Sequence, residues 1–126
     1  MKQNNSNNGS QTKISLLYRG VNARALWQGL VETYINKLQD LASIVAARIT
    51  LERQPESNPM FRVLAILEVP GPDFHAEARD FTLRAALAKV VSNLRRQMQS
   101  RKNRQIARRK NKLRFMLPDR PSPARA

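Results

Sequence analysis

The sequence predicts an α+β fold: a two-layer βαβββα domain, a four-stranded mixed sheet with two helices packed on one face. Three observations carry this. Four short segments are apolar or alternate at strand length, and two longer ones place apolar residues at helical spacing. A helix joins the first two strands, so these run parallel through a right-handed crossover. The later strand connections are of hairpin length, so those strands run antiparallel. One sheet face would carry Arg48, Glu52, Arg62, Glu68, His75, Glu77 and Arg79. Both helices must therefore cover the other face.

Residues 1–12 are rich in Asn, Ser and Gln and are expected to be a disordered tail. Residues 14–19 read as a short apolar strand, ended by Gly20. Residues 23–42 read as a helix, with Leu26, Leu30, Tyr34 and Leu41 on one side and Trp27, Val31 and Leu38 widening it. Gly29 within it costs roughly 1 kcal/mol relative to Ala. It marks either close helix–sheet packing or a tolerated defect. Residues 45–53 alternate, with Val45, Ala47, Ile49 and Leu51 inward. The prolines of residues 54–59 make a loop. Residues 60–69 alternate again, with Phe61, Val63, Ala65, Leu67 and Val69 inward, and Leu64 and Ile66 on the other side point to a central strand. Pro70-Gly71 suits a type II turn. Residues 74–79 follow with Phe74, Ala76 and Ala78 inward. Asp80 or Thr82 then caps a second helix with an apolar stripe of Leu83, Leu87, Val90, Val91, Leu94 and Met98. Residues 118–126 are expected to be a disordered tail.

At 126 residues the chain accommodates one domain with tails. The absence of cysteine excludes disulfides and thiolate metal sites, and a single histidine excludes a multi-His metal centre. No apolar run reaches the ~18 residues of a membrane span, and the N-terminus lacks a signal-peptide core. A cytoplasmic protein without a cofactor or small-molecule substrate is expected, monomeric when free. The formal charge of +14 makes nucleic acid the first partner to consider.

Twelve Lys or Arg and no Asp or Glu lie between Phe81 and Pro118. The stripe of the second helix would continue through Arg101, Gln105, Arg108 and Lys112, so its core-facing side turns polar near Met98. If helical over residues 82–113, this element is roughly 48 Å long, more than a sheet about 15–20 Å wide can cover. Arg84, Arg95, Lys102 and Arg109 fall within about 40° on the helical wheel, and Lys89, Arg96 and Arg114 form a second row. Parallel cationic ridges match a polyphosphate groove better than a single anion. The bland alternative, a solvated charged face, usually has acids interspersed; this one has none. Candidate contacts are therefore Arg84, Lys89, Arg95, Arg96, Arg101, Lys102, Arg104, Arg108, Arg109, Lys110 and Lys112. His75 reads as a surface strand residue and Trp27 and Tyr34 as core. Glu52, Glu68 and Glu77 are expected to pair with Arg48, Arg62 and Arg79. The patch at residues 114–117 would fold back or insert into a partner.

Residues 71–98 resemble the ribosome hibernation-promoting factors, the family that includes the ribosome-associated translation inhibitors. The shared pattern appears here as Gly71-Pro72-Asp73-Phe74-His75-Ala76, Ala78, Ala85-Ala86, and Leu94 with Arg96-Gln97-Met98. Weaker similarity covers residues 26–51, including Lys37-Leu38. Thr82 and Arg84 stand where the family has Asp and Tyr, residues 19–24 lack its usual loop, and the basic arm is longer. The resemblance implies a non-enzymatic protein that docks on rRNA of the small ribosomal subunit, where mRNA and tRNA anticodon ends sit, blocking translation and preserving idle ribosomes. It also implies rRNA contacts at Lys37, Arg95, Arg96, Arg101 and Lys102. The domain division is then a tail at 1–12, a ribosome-binding α+β domain at 13–99, a basic helical extension at 100–117 and a tail at 118–126. The short type, without the dimerisation domain of longer members, is expected. The alternatives are a general RNA- or DNA-binding protein acting away from the ribosome, or a binder of an acidic partner or membrane surface. Only Ile106 and Leu113 are large and apolar within residues 100–113, too few for a membrane-inserting face.

Overall fold

The structure is a computed structural model that describes residues 12–116, with side chains described through Lys112. Apart from Thr12, the tails expected at 1–12 and 118–126 lie outside it, as do the side chains of the 114–117 patch. The elements are β1 (Lys13–Arg19), α1 (Ala25–Leu38), β2 (Ala46–Arg53), β3 (Phe61–Glu68), β4 (Phe74–Asp80) and α2 (Leu83–Met116). The sheet order is β1-β2-β3-β4. β1 and β2 are parallel, and the other two pairings are antiparallel. The βαβββα order and mixed sheet are those read from the sequence.

Register follows from burying one face. Leu16, Ile49, Ala65 and Ala76 lie side by side across the four strands and all point toward the helices. A one-residue slip in any strand would turn its inward set to solvent. The core joins Ala47, Ile49, Leu51, Val63, Ala65, Leu67 and Phe74 of the sheet to Val31, Ile35 and Leu38 of α1. Leu83, Ala86, Leu87, Val90, Val91, Leu94 and Met98 of α2 complete it. The open face is held by charge. Arg62 donates from Nε to Glu77 Oε2 at 2.6 Å and from NH1 to Glu52 Oε1 at 3.1 Å. Arg48 pairs with Glu68 at 3.2 Å. Arg79, expected to meet a glutamate, donates instead to Gln54 Oε1 at 2.6 Å.

Two local expectations change, and one open choice is resolved. Leu26 is 51% exposed, and Ile35 takes the core position. The apolar residues of α1 span a wide arc, and packing selects the Val31–Ile35–Leu38 side of it. Val45 is 57% exposed while Ile44 is buried. The chain bends there before β2 begins, so the strand alternation does not reach back to Val45. Side chains hold the bend: Ile44 N–H donates to Gln39 Oε1, Thr12 Oγ1 donates to the Ile44 carbonyl, and Gln39 Nε2 donates to Thr12 Oγ1. Gly29 faces open space, since an added Cβ would meet nothing within 4 Å. It is a tolerated defect, not a packing device. Gly71 has φ +95°, as a type II turn requires.

Thr82 caps α2, accepting the Ala85 N–H at 3.1 Å. Asp80 accepts the Phe81 N–H instead. The helix is continuous over 34 residues. Residues 83–98 span about 24 Å, close to the ~25 Å length of a seven- or eight-residue strand. Met98 is the last core residue of α2. Residues 99–116 continue for about 27 Å as an arm beyond the core.

Candidate nucleic-acid interface

Stripe and arm together decide where charge can act. Up to Met98 the sheet occupies one side of α2, and its Lys and Arg must stand on the flanks and back. Arg84, Lys89, Arg95 and Arg96 do so, and all are exposed. Past Met98 there is no core to face. Lys102, Arg104, Arg108, Arg109, Lys110 and Lys112 are exposed around the whole circumference. Arg95, Lys102 and Arg109 recur every seven residues, about 10.5 Å apart along the axis and nearly in line. Arg96 and Lys110 flank that row, with Asn103 between them. Lys37 stands apart, exposed on the last turn of α1.

The sheet face and the helix face differ in charge balance. On the sheet, carboxylates neutralise Arg48 and Arg62. The Arg62 guanidinium holds the Glu77 carboxyl below its usual range, chiefly through their hydrogen bond. On α2 and its arm, Arg84, Arg95, Arg96, Lys102, Arg108, Arg109, Lys110 and Lys112 have no ion pair among the described residues, nor does Lys37. Unpaired, exposed, same-sign groups in rows are what a polyanion can neutralise.

Three of the sequence-derived contacts have partners within the protein. Lys89 Nζ lies 3.0 Å from Asp80 Oδ2 and 3.4 Å from the Arg79 carbonyl. Arg104 NH1 donates to Ser100 Oγ at 3.0 Å. Arg101 is half-buried and reaches back to the β3–β4 turn, where its NH1 donates to the Pro72 carbonyl at 2.8 Å. Gln97 entered the sequence reading only as part of the Arg96-Gln97-Met98 pattern, without a role of its own; its Nε2 donates to the His75 carbonyl at 2.8 Å and ties α2 to β4. Its place on the β4 side of the α2 wheel was the available signal. His75 itself is an exposed strand residue, and Trp27 and Tyr34 pack against the core. Among the described residues no three His, Cys, Asp or Glu side chains gather as metal ligands, and no helix is long and apolar enough to cross a membrane.

A family model described as Sigma 54 modulation protein / S30EA ribosomal protein matches residues 14–114, from β1 into the arm. The chain belongs to this family. The Sigma 54 modulation / S30EA family is the one to which the residue 71–98 motif pointed, and it makes the chain a ribosome-associated factor. Two solved structures share the fold. The Thermus thermophilus Protein Y N-terminal domain aligns with a TM-score of 0.61 at 20% identity, over 70% of this chain and 97% of that one. A ribosomal subunit interface protein from Coxiella burnetii aligns with a TM-score of 0.54 at 18% identity, over 77% of this chain and 99% of that one. No curated protein sequence matches the chain significantly.

Proposed function

We propose that this protein is a cytoplasmic, non-enzymatic ribosome hibernation factor. It binds the small ribosomal subunit near the mRNA/tRNA decoding channel, lays α2 and its arm against rRNA phosphates, and blocks translation sterically while idle ribosomes are preserved. The observation that carries this reading is the unpaired cationic row Arg84–Arg95–Lys102–Arg109, which runs from the folded domain onto an arm in a chain of the S30EA family. The paired charges of the open sheet face leave the helix side as the RNA-facing side. Lys37, Arg95, Arg96 and Lys102 are its central contacts, with Arg84, Arg104, Arg108, Arg109, Lys110 and Lys112 extending it.

Sedimentation with purified ribosomes and separated subunits tests the proposal. The expected result is co-migration with the small subunit, lost when mRNA and tRNA compete. Equal binding to both subunits and to unrelated RNA would favour a general nucleic-acid binder instead.

A further inference from the structure

Arg101 stands apart from the other cations of α2. It lies on the first turn past Met98 and on the side of the helix that faces the domain. Among the described Lys and Arg of α2 it alone is half-buried. Its guanidinium carbon sits 3.8 Å from the centroid of the Phe74 ring, and NH1 donates to the Pro72 carbonyl at 2.8 Å. Phe74 is a core residue, 3% exposed, at the first position of β4. Pro72 belongs to the turn that Gly71, at φ +95°, makes possible. The platform under Arg101 is therefore itself fixed. A phosphate that took this guanidinium would compete with the aromatic face and the carbonyl together.

The contact completes a series. Lys89, Gln97 and Arg101, at i, i+8 and i+12 along one side of α2, donate to the carbonyls of Arg79, His75 and Pro72 along β4 and the turn before it. The first two lie where the core already holds the helix. Arg101 lies where core packing has ended, so its contact extends the docked part of α2 by a turn. The arm needs that support. It has no acid, and Arg104, Arg108 and Lys112 follow one another at i, i+4 spacing, where like charges destabilise a helix. Beyond the core the helix continues by propagation from its docked part alone, without tertiary packing, which supplies most helical stability in proteins.

We infer that Arg101 is a positioning residue, not a phosphate contact: it clamps the first turn of the arm to the β3–β4 turn and sets the direction in which Lys102, Arg108, Arg109, Lys110 and Lys112 project. The inference rests on α2 and its arm being the RNA-facing element. It departs from the rRNA-contact role that the resemblance implies for this position.

The experiment has one arm without RNA and one with it. The chain has no cysteine, so spin labels at Ser15→Cys and Asn111→Cys report the arm's orientation without other labelling. Pulsed dipolar spectroscopy should give a narrow distance distribution for the otherwise unchanged chain and for Lys102→Gln. Arg101→Gln and Arg101→Lys should both broaden it, because lysine keeps the charge but not the planar group on the ring. Phe74→Leu should broaden it with every charge retained. If that variant fails to fold, the two Arg101 variants decide. A distribution for Arg101→Gln as narrow as the unsubstituted chain's overturns the clamp.

The second arm measures affinity for purified small ribosomal subunits against salt. Lys102→Gln should reduce the slope of log K on log salt by about 0.7, one phosphate contact. Arg101→Gln should weaken binding with the slope unchanged, and Arg101→Lys should not restore it. A reduced slope for Arg101→Gln, with recovery in Arg101→Lys, overturns the inference by making Arg101 a contact. If the unsubstituted chain does not bind small subunits, the proposed function fails, and the spectroscopic arm still decides the clamp.

Discussion

The Lys89 ammonium lies 3.0 Å from the Asp80 carboxylate, across the start of α2. Asp80 is the last acid before the acid-free segment, and its partner is the first lysine within it. Lys89 thus serves the seam between β4 and α2, alongside its contact to the Arg79 carbonyl.

This pairing gives stability a pH dependence. Hydrogen bonding from Lys89, and then from the Phe81 N–H, lowers the Asp80 carboxyl below its ordinary value, and Arg62 does the same for Glu77. Both groups titrate lower in the folded chain than in the unfolded one. Their contribution is complete above the unfolded values, 3.8 for Asp80 and 4.5 for Glu77, and is lost as pH falls through the folded ones. Tm should be flat from pH 7 down to about 5 and should fall below that. The effect is modest because both carboxylates are solvent-accessible. Glu77→Gln should lower Tm at pH 7 and shrink the acid-side decline; an unchanged decline would remove Glu77 from the account.

The two glycines flanking and interrupting α1 should respond oppositely to alanine. At Gly29 the added methyl meets nothing, so Gly29→Ala should stabilise by about 0.5–1 kcal/mol through the helix interior's preference for Ala. At Gly20, φ is +71° and the new Cβ would stand 3.1 Å from the Arg53 carbonyl oxygen. Gly20→Ala should cost about 1–2 kcal/mol or more. Denaturant midpoints at constant m-value measure both.

Reversing charge on the central row should uncouple binding from folding. Arg95 and Lys102 are exposed and have no ion-pair partner among the described residues. Arg95→Glu with Lys102→Glu should abolish inhibition of cell-free translation while the thermal melt stays within a few degrees. Persistent inhibition by the doubly substituted protein would move the binding surface elsewhere.

Affinity for small subunits should also depend steeply on salt. With about seven phosphate contacts and a slope near −0.7 for each, moving from 50 to 200 mM salt should weaken binding on the order of 10³-fold. A flat response would exclude a phosphate-dominated interface.

Strand segments were legible because a sheet with one buried face imposes alternation, as in the inward run Val63, Ala65, Leu67 and Val69. Met98 as the end of core packing was legible too, since Arg101 and Gln105 replace apolar residues where the stripe should continue. The face of α1 was not. Its apolar residues cover too wide an arc for periodicity to choose Ile35 over Leu26, and tertiary packing makes that choice. Among the candidate contacts, exposure and lack of acid were visible in sequence, but the return of Arg101 to Pro72 was not. That contact spans 29 residues and depends on the β3–β4 turn lying beside the arm.

The projection of α2 past Met98 has a kinetic consequence. At physiological ionic strength the screening length is about 8 Å, so the end of an arm about 27 Å long lies more than three such lengths from the domain. The carboxylates of the sheet cannot mute charges at that distance. On the proposed function the arm would act as an antenna: it would meet an anionic surface first, and the domain, tethered by a helix and not a slack chain, would arrive already oriented. Shortening the arm should slow capture more than it hastens release.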